Sequence, residues 1–308
     1  LGIDKHSATA TVQAGIMGPE MERFLNPAGF TLGHFPQSFM YSTVGGWIAT
    51  RSAGQNSTRY GTIAERVQSL RLAHPEGILS TPDVPAAAAG PDLVQLIAGS
   101  EGTLGVITQA TLRLAPLPQY QDYRGYLLPS FAEGVEAARE LMQSGVAPAV
   151  LRLSDEAETE STLALRATPQ GFAAAVEGLG RWYLARRGLR LDSGSIMILG
   201  FEGGEAEVRR DRSVARRVLN RHRAASLGRG PGRAWRRGRY EAPYLRDLLL
   251  DHGVMIDTLE TAITWDRYLP LHAAVRDRLR EALGDRSVVM AHLSHSYTDG
   301  ASIYYTFL

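Results

Sequence analysis

Between Ala115 and Tyr120 the chain reads Ala-Pro-Leu-Pro-Gln-Tyr, and two prolines so placed interrupt both helix and sheet ladders. No regular element runs through that stretch, so the chain divides there into 1–116 and 117–308. Its 308 residues suit two compact units, each long enough to bury a core.

The first part reads as α+β. Ala8 to Ala14 alternates as a strand, and Pro19 to Leu25 reads as a short helix. Val67 to Leu72 pairs with Ile78 and Leu79 across His74-Pro-Glu-Gly77. Pro91 to Ile97 makes a helix that stops at Gly99, and Leu104 to Leu114 returns as a strand.

The second part alternates helix and strand. Ser130 and Glu133 predict a capping box ahead of the helix carrying Val135, Ala138, Leu141 and Met142. Strands are expected over Ala149–Leu153, Ser195–Phe201, Met255–Trp265, Ser287–Leu293 and Ala301–Leu308. Helices are expected over Gly171–Arg187, Glu205–Arg223, Tyr244–Asp251 and Leu269–Leu283. This alternation implies a sheet covered by helices, read as a cap domain.

Net charge is +1, which gives no reason to expect nucleic acid as a partner. Lys5 is the only lysine, so a phosphate or carboxylate held here meets the planar fork of an arginine. With no cysteine, disulfides, thiolate metal sites, thiol nucleophiles and a cysteinyl-flavin bond are all excluded. No apolar run reaches the ~20 residues of a membrane span. The default expectation is a cytoplasmic protein, with membrane association left open.

Two segments carry a different signal. Ser42 to Gly54 reads STVGGWIATRSAG, too poor in large apolar side chains for ordinary core and too rich in hydroxyls for a casual loop. Gly99-Ser-Glu-Gly-Thr-Leu-Gly-Val-Ile107 sits between a helix and a strand, with three glycines that permit backbone N–H groups to converge on an anion or a ring edge. A single glycine-rich turn is as often just a turn. Two in one unit point to a cofactor.

On these residues the chain resembles the flavoenzymes of the vanillyl-alcohol oxidase and p-cresol methylhydroxylase family, and within it the alkyldihydroxyacetonephosphate synthases. Also matching are Tyr244-Leu-Arg-Asp247, Glu260-Thr261 with Trp265-Asp-Arg267, and Gly300-Ala-Ser-Ile-Tyr-Tyr305. The resemblance implies the later part of a PCMH-type FAD-binding domain, followed by an α+β cap with a helix-covered antiparallel sheet. It further implies non-covalent FAD lined by His34, Gln37, Ser38, Phe39, Met40, Tyr41, Ser42, Thr43, Thr50, Arg51, Ser52 and Ala53. Ser100, Glu101, Gly102, Thr103, Leu104, Gly105, Val106 and Ile107 complete that lining. A Pro-Gly-Gly-Gly-Thr-type loop upstream and a histidine-rich segment downstream belong to the family pattern and are not matched in this sequence.

The implied reaction exchanges the acyl chain of acyl-dihydroxyacetone phosphate for a fatty alcohol, with no net redox change. Tyr304 matches the active-site tyrosine, Arg246 the substrate-binding arginine, and Arg152 a further arginine needed for activity. The implied partners are a phosphorylated lipid and a fatty alcohol, with peripheral membrane contact and a homodimer as further expectations.

Each residue has a plainer reading. Tyr304 lies in an apolar strand and suits a core tyrosine; Arg152 between Leu151 and Leu153 suits a solvated strand face; Arg246 with Asp247 suits a helix surface. The run Arg221, Arg229, Arg233, Arg236, Arg237 and Arg239 around Trp235 is read as a mobile basic loop over a phosphate-bearing substrate. His292 and His295 stand three apart in a strand, pointing to opposite faces, so no metal site is expected, and His295 facing the active site is left open. A flavin enzyme that oxidises a 2-hydroxy acid and a non-catalytic binding module remain as alternatives.

Overall fold

A computed structural model describes residues 2–164, 178, 180, 182–241 and 244–308. The chain forms two compact units, Leu1–Gln119 and Tyr120–Leu308. Most of the helix expected over Gly171–Arg187 lies outside the described residues; residues 182–186 are helical.

In the first unit, strands β1 (Gly2–Asp4), β2 (Thr9–Gln13), β4 (Val67–His74), β5 (Gly77–Ser80) and β6 (Val106–Arg113) form an antiparallel sheet in the order β1-β2-β6-β4-β5. The short β3 (Phe30–Thr31) pairs separately with β7 (Ala115–Pro116). Alternation sorts the two faces: Ala10, Val12, Leu70, Leu72, Ala110 and Leu112 are buried, while cross-strand neighbours Thr11, Ser69, Arg71, Gln109 and Thr111 make a polar face. Helices α1 (Gly18–Leu25), α2 (Val44–Ala49), α3 (Ser57–Tyr60), α4 (Ile63–Arg66) and α5 (Leu93–Ile97) complete the unit. Leu72 pairs with Leu79, the register expected for the hairpin.

The second unit holds a seven-stranded antiparallel sheet in the order β11-β8-β10-β9-β13-β14-β12. Its strands are β8 (Tyr120–Leu128), β9 (Val150–Ser154), β10 (Ser195–Gly203), β11 (Ala225–Gly228), β12 (Asp257–Thr264), β13 (Val289–Ser296) and β14 (Gly300–Phe307). Its helices are α6 (Phe131–Gln143), α7 (Glu156–Ala164), α8 (Glu205–Arg221), α9 (Gly230–Gly238), α10 (Leu245–Asp251) and α11 (Trp265–Leu283). One face is a continuous core, in which Leu151, Leu153, Met197, Leu199, Leu293, Ile303 and Tyr305 pack against side chains of α6, α8 and α11. Burying one leucine in such a core is worth roughly 1.5–3 kcal/mol, so this face fixes the register of the strands that contribute to it, β8, β10, β9, β13 and β14.

The opposite face changes character across the sheet. At the β8 and β10 end it is apolar, where Tyr123, Val150 and Ile198 cluster with Trp235 of α9. The Trp235 and Tyr123 rings stack at 6.2 Å. Toward β13, β14 and β12 the same face carries Arg152, His292, Ser302, Tyr304 and Glu260.

Three expectations are corrected here. The arginine-rich segment is not a loop over residues 230–238 but the helix α9, started by Pro231 in its first turn. It is held to β8 by the Trp235 stack, and a Cβ at Gly232 would fall 2.5 Å from the Tyr123 carbonyl carbon. Ser130 caps α6, accepting from the Glu133 N–H at 3.2 Å, but Glu133 does not close a capping box, because its carboxylate meets His222 Nδ1 at 2.8 Å. The last helix begins at Trp265 rather than Leu269, with Pro270 tolerated inside it.

Candidate functional site

In the first unit the candidate cofactor segments converge on α2. Thr43 caps that helix by accepting from the Gly46 N–H at 3.2 Å. Val44 and Gly45 N–H donate to Ile16 and Ala14 carbonyls at 3.0 and 2.8 Å. At the other end, Gly99 and Glu101 N–H donate to Ile48 and Ala49 carbonyls at 3.0 and 2.9 Å. One six-residue helix thus ties the 37–43 segment to the 99–107 segment.

Within this frame the hydroxyls form a network. Trp47 Nε1 donates to Ser42 Oγ at 2.6 Å, Ser38 Oγ reaches Ser42 Oγ at 3.0 Å, and Thr50 Oγ1 donates to the Gly46 carbonyl at 3.0 Å. His34 is buried, its Nε2 3.2 Å from Ser52 Oγ and its ring 5.0 Å from Trp47. Ala53 is half-buried beside them. Thr103 Oγ1 donates to the Ser100 carbonyl at 2.6 Å.

Two candidates differ from their neighbours. The Phe39 ring is buried and stacks on Trp47, so only its backbone faces outward. Arg51 turns its guanidinium to the Gln95 and Ala98 carbonyls at 3.1 and 3.0 Å, stapling the end of α5.

The residues present fit a flat, phosphorylated group. Gln37, Ser38, Glu101, Gly102 and Thr103 are exposed. In the same two segments Met40, Tyr41, Leu104 and Val106 stand 43, 71, 42 and 69% exposed. Gly99, Glu101, Gly102 and Gly105 all take positive φ (90, 50, 83 and 142°), as does Arg51 at 53°. Holding a non-glycine residue there costs on the order of 1–3 kcal/mol, and such strain concentrates at ligand clamps. Ile107 lies just inside β6, half-buried. A hollow of about 220 Å³ on the polar face of the first sheet, lined by Thr11, Arg71, Gln109 and Thr111 among others, contains none of the candidate residues.

In the second unit the structure joins Arg152 and Tyr304 through residues the sequence reading did not assign. Tyr304 stands between Glu260 on β12 and His292 on β13, and its ring stacks on His292 at 5.0 Å and 21°. Arg152 Nη2 donates to Glu158 Oε1 at 2.7 Å and lies 3.1 Å from His292 Nδ1; Arg152 Nη1 donates to Ser154 Oγ at 3.0 Å. His292 Nδ1 is 3.0 Å from the same Glu158 oxygen. Burial pushes the Glu158 carboxyl up, but the Arg152 and His292 charges and hydrogen bonds from His292 and Ser154 outweigh it and bring it down to about 2. Tyr304 is therefore not the core tyrosine of its strand. That position belongs to Tyr305, buried at 1% exposure, whose hydroxyl is pushed far above the ordinary phenol range by burial and by Asp155.

His295 corrects a second expectation. A β-bulge between Ser294 and Ser296 breaks the alternation, and His295 sits in it at φ 43°. Its Nε2 reaches to 3.8 Å from Glu260 Oε1, the oxygen that accepts from Ser302 Oγ at 3.0 Å. His292 and His295 thus share the face that carries Tyr304. Burial holds the His295 imidazole below the usual histidine range, against the pull of Glu260. Among the described residues no group of three or more His, Cys, Asp or Glu could hold a metal ion.

Arg246 stands on α10, none of whose residues is buried. No hydrogen bond or ion pair joins it to Arg152 or Tyr304 among the described residues. No helix of the described residues is long and apolar enough to cross a membrane.

The family models that match the two units define the class, a flavoprotein of the FAD-linked oxidase type. Residues 1–81 match the family model described as an FAD binding domain, and residues 117–308 match that of FAD linked oxidases, C-terminal domain. The chain belongs to that FAD-linked oxidase family, and its cofactor is FAD. Within it, the whole chain is 35% identical to the alkyldihydroxyacetonephosphate synthase of Dictyostelium discoideum, covering 51% of that protein. A solved alkyldihydroxyacetonephosphate synthase structure superposes with a TM-score of 0.86 at 36% identity, over all of this chain and 56% of that one. A mitochondrial D-lactate dehydrogenase [cytochrome] of Arabidopsis thaliana is 30% identical over 70% of this chain and 34% of its own length. The chain spans about half the length of the synthases it matches.

Proposed function

We propose that the protein to which this chain belongs is an alkyldihydroxyacetonephosphate synthase, exchanging the acyl chain of acyl-dihydroxyacetone phosphate for a long-chain alcohol. The observation that carries this reading is the joint placement of Tyr304 and Arg152 on one polar sheet face, in a chain similar along its whole length to such synthases. In the overall exchange the ester oxygen leaves with the acyl chain as a fatty acid, the alcohol oxygen takes its place on carbon, and no electrons are gained or lost.

FAD, when bound, supplies a nucleophilic and electron-accepting ring. The segments 37–43, 50–53 and 100–107 would hold it, with small side chains admitting close backbone approach and hydroxyls giving donors without charge. Arg246 and Arg152 are the candidates for the substrate phosphate, each able to offer a bidentate fork. The Tyr304 hydroxyl oxygen is the candidate to take and return the proton of the reacting carbon. Glu260 is the cross-strand neighbour of Tyr304, and His295 Nε2 lies 3.8 Å from its carboxylate.

Long-chain substrates bring such an enzyme to a lipid surface. Leu245, Leu248 and Leu250, exposed on α10 just after the arginine-rich α9, support peripheral membrane contact as part of the same proposal. The test is direct: the full-length protein, given acyl-dihydroxyacetone phosphate and hexadecanol, releases fatty acid and forms the ether. Hydrolysis without ether formation would refute it.

A further inference from the structure

We propose that Glu158 and His292 are positioning residues that hold the Arg152 guanidinium and the Tyr304 phenol in one working arrangement. The inference rests on the functional reading above. Its basis is a single carboxylate oxygen, Glu158 Oε1, shared between Arg152 Nη2 at 2.7 Å and His292 Nδ1 at 3.0 Å, with the His292 ring stacked on Tyr304. Glu158 thereby links the charge expected to meet a phosphate to the ring expected to move a proton, from α7 across two strands.

The hydrogen-bond pattern puts a hydrogen on His292 Nδ1. A carboxylate oxygen at 3.0 Å selects the form with hydrogen on Nδ1, so Nδ1 does not accept from Arg152 despite the 3.1 Å separation. Arg152 then keeps its Nε–H, one Nη1 hydrogen and one Nη2 hydrogen without a protein acceptor among the described residues, available to an anion.

Stability alone does not account for this cluster. Glu158 Oε2 is buried with no hydrogen-bond partner, and a buried ion pair contributes little net stability compared with apolar packing. The same sheet face packs apolar groups around Trp235 only two strands away. The charged and titratable groups grouped around Tyr304 on this sheet face are Glu260 on β12, His292 and His295 on β13, Arg152 on β9 and Glu158 on α7. Of these, Glu158 alone contacts both Arg152 and His292.

The experiment uses the full-length, flavin-loaded protein and the variants Glu158→Gln, Glu158→Asp, His292→Ala and His292→Phe, assayed well below their melting temperatures. Glu158→Gln is expected to raise KM for acyl-dihydroxyacetone phosphate about tenfold with kcat changed less than threefold, and Glu158→Asp to recover much of the loss. His292→Ala is expected to lower kcat about tenfold, while His292→Phe, which keeps the stacked ring, stays within threefold of the parent. Crystal structures of Glu158→Gln and His292→Ala should show the Arg152 guanidinium and the Tyr304 ring, respectively, displaced. A folded Glu158→Gln protein with parental KM, or with Arg152 unmoved, would overturn the proposal. If the parent protein performs no chain exchange, the functional reading falls, and the two crystal structures still decide the brace: displaced groups support it, unmoved groups end it.

Discussion

Replacing Glu158 by Gln removes a charge whose contribution to stability depends on pH in a way the structure specifies. The carboxyl titrates near 4.5 when unfolded and at about 2 when folded beside Arg152 and His292. A folded-state value below the unfolded one gives stability that is present above the unfolded value and is lost as pH falls through the folded one. The difference corresponds to about 3 kcal/mol at neutral pH, of which roughly two-fifths is gone by pH 3.5. That agrees with the ~3–5 kcal/mol generally lost when one partner of a buried pair is removed. For a unit of this size each kcal/mol moves Tm by roughly 2–4 °C. Glu158→Gln should therefore melt about 6–12 °C below the parent at pH 7, with the gap narrowed by about 3–6 °C at pH 3.5. Scanning calorimetry of the two proteins at both pH values measures this. Equal gaps at pH 7 and pH 3.5 would refute the assignment of the interaction to the Glu158 charge.

Other consequences are equally open to measurement. Tyr304→Phe should leave flavin content unchanged, read by absorbance, while lowering turnover by roughly 10²–10⁴-fold, the range for loss of a general base; parental turnover would remove Tyr304 from the chemistry. Arg246→Ala should weaken binding of the phosphate-bearing substrate roughly tenfold or more while moving Tm by only about a degree, since an exposed helix arginine contributes little stability. A variant that melts early yet binds normally would make Arg246 structural. Gly105→Ala should destabilise the first unit by about 1–3 kcal/mol and weaken flavin retention, because φ is 142° there and a Cβ would run into the Ala73 carbonyl oxygen; calorimetry and flavin release on dilution check both.

Much of this architecture is legible in the residues. The prolines between Ala115 and Tyr120, the hairpin at His74–Gly77 and the Ser130 cap are local signals, and local signals survive folding. Strand β8 escaped because Tyr120–Leu128 mixes Gln, Asp, Arg and Gly with its apolar residues, which hides the period of two. Its polar members are explained only by tertiary partners, as with Asp122, held by Arg124 and Arg229 at 2.9 Å each. Helix α9 escaped because its three glycines and one proline read as a loop until Tyr123 is there to stack on Trp235.

At the site, Arg152 and Tyr304 carry a resemblance, whereas Glu158 and His292 carry none and become visible only when β9, β13 and α7 are brought together. The orientation of His295 was inaccessible for another reason. Counting residues along a strand assumes an unbroken pleat, and the bulge at Ser294–Ser296 inserts one residue that no local composition announces.

The central claim is that a flavin-binding chain of the FAD-linked oxidase family serves chain exchange and not oxidation. The decisive measurement is the amount of electron acceptor reduced per fatty acid released, when the full-length protein turns over acyl-dihydroxyacetone phosphate with hexadecanol under an acceptor dye. Release of one fatty acid per ether formed with no acceptor reduced, and a flavin spectrum unchanged by D-lactate or glycolate, is the expected result. Stoichiometric dye reduction by a 2-hydroxy acid, with no ether formed from the lipid pair, would contradict the account.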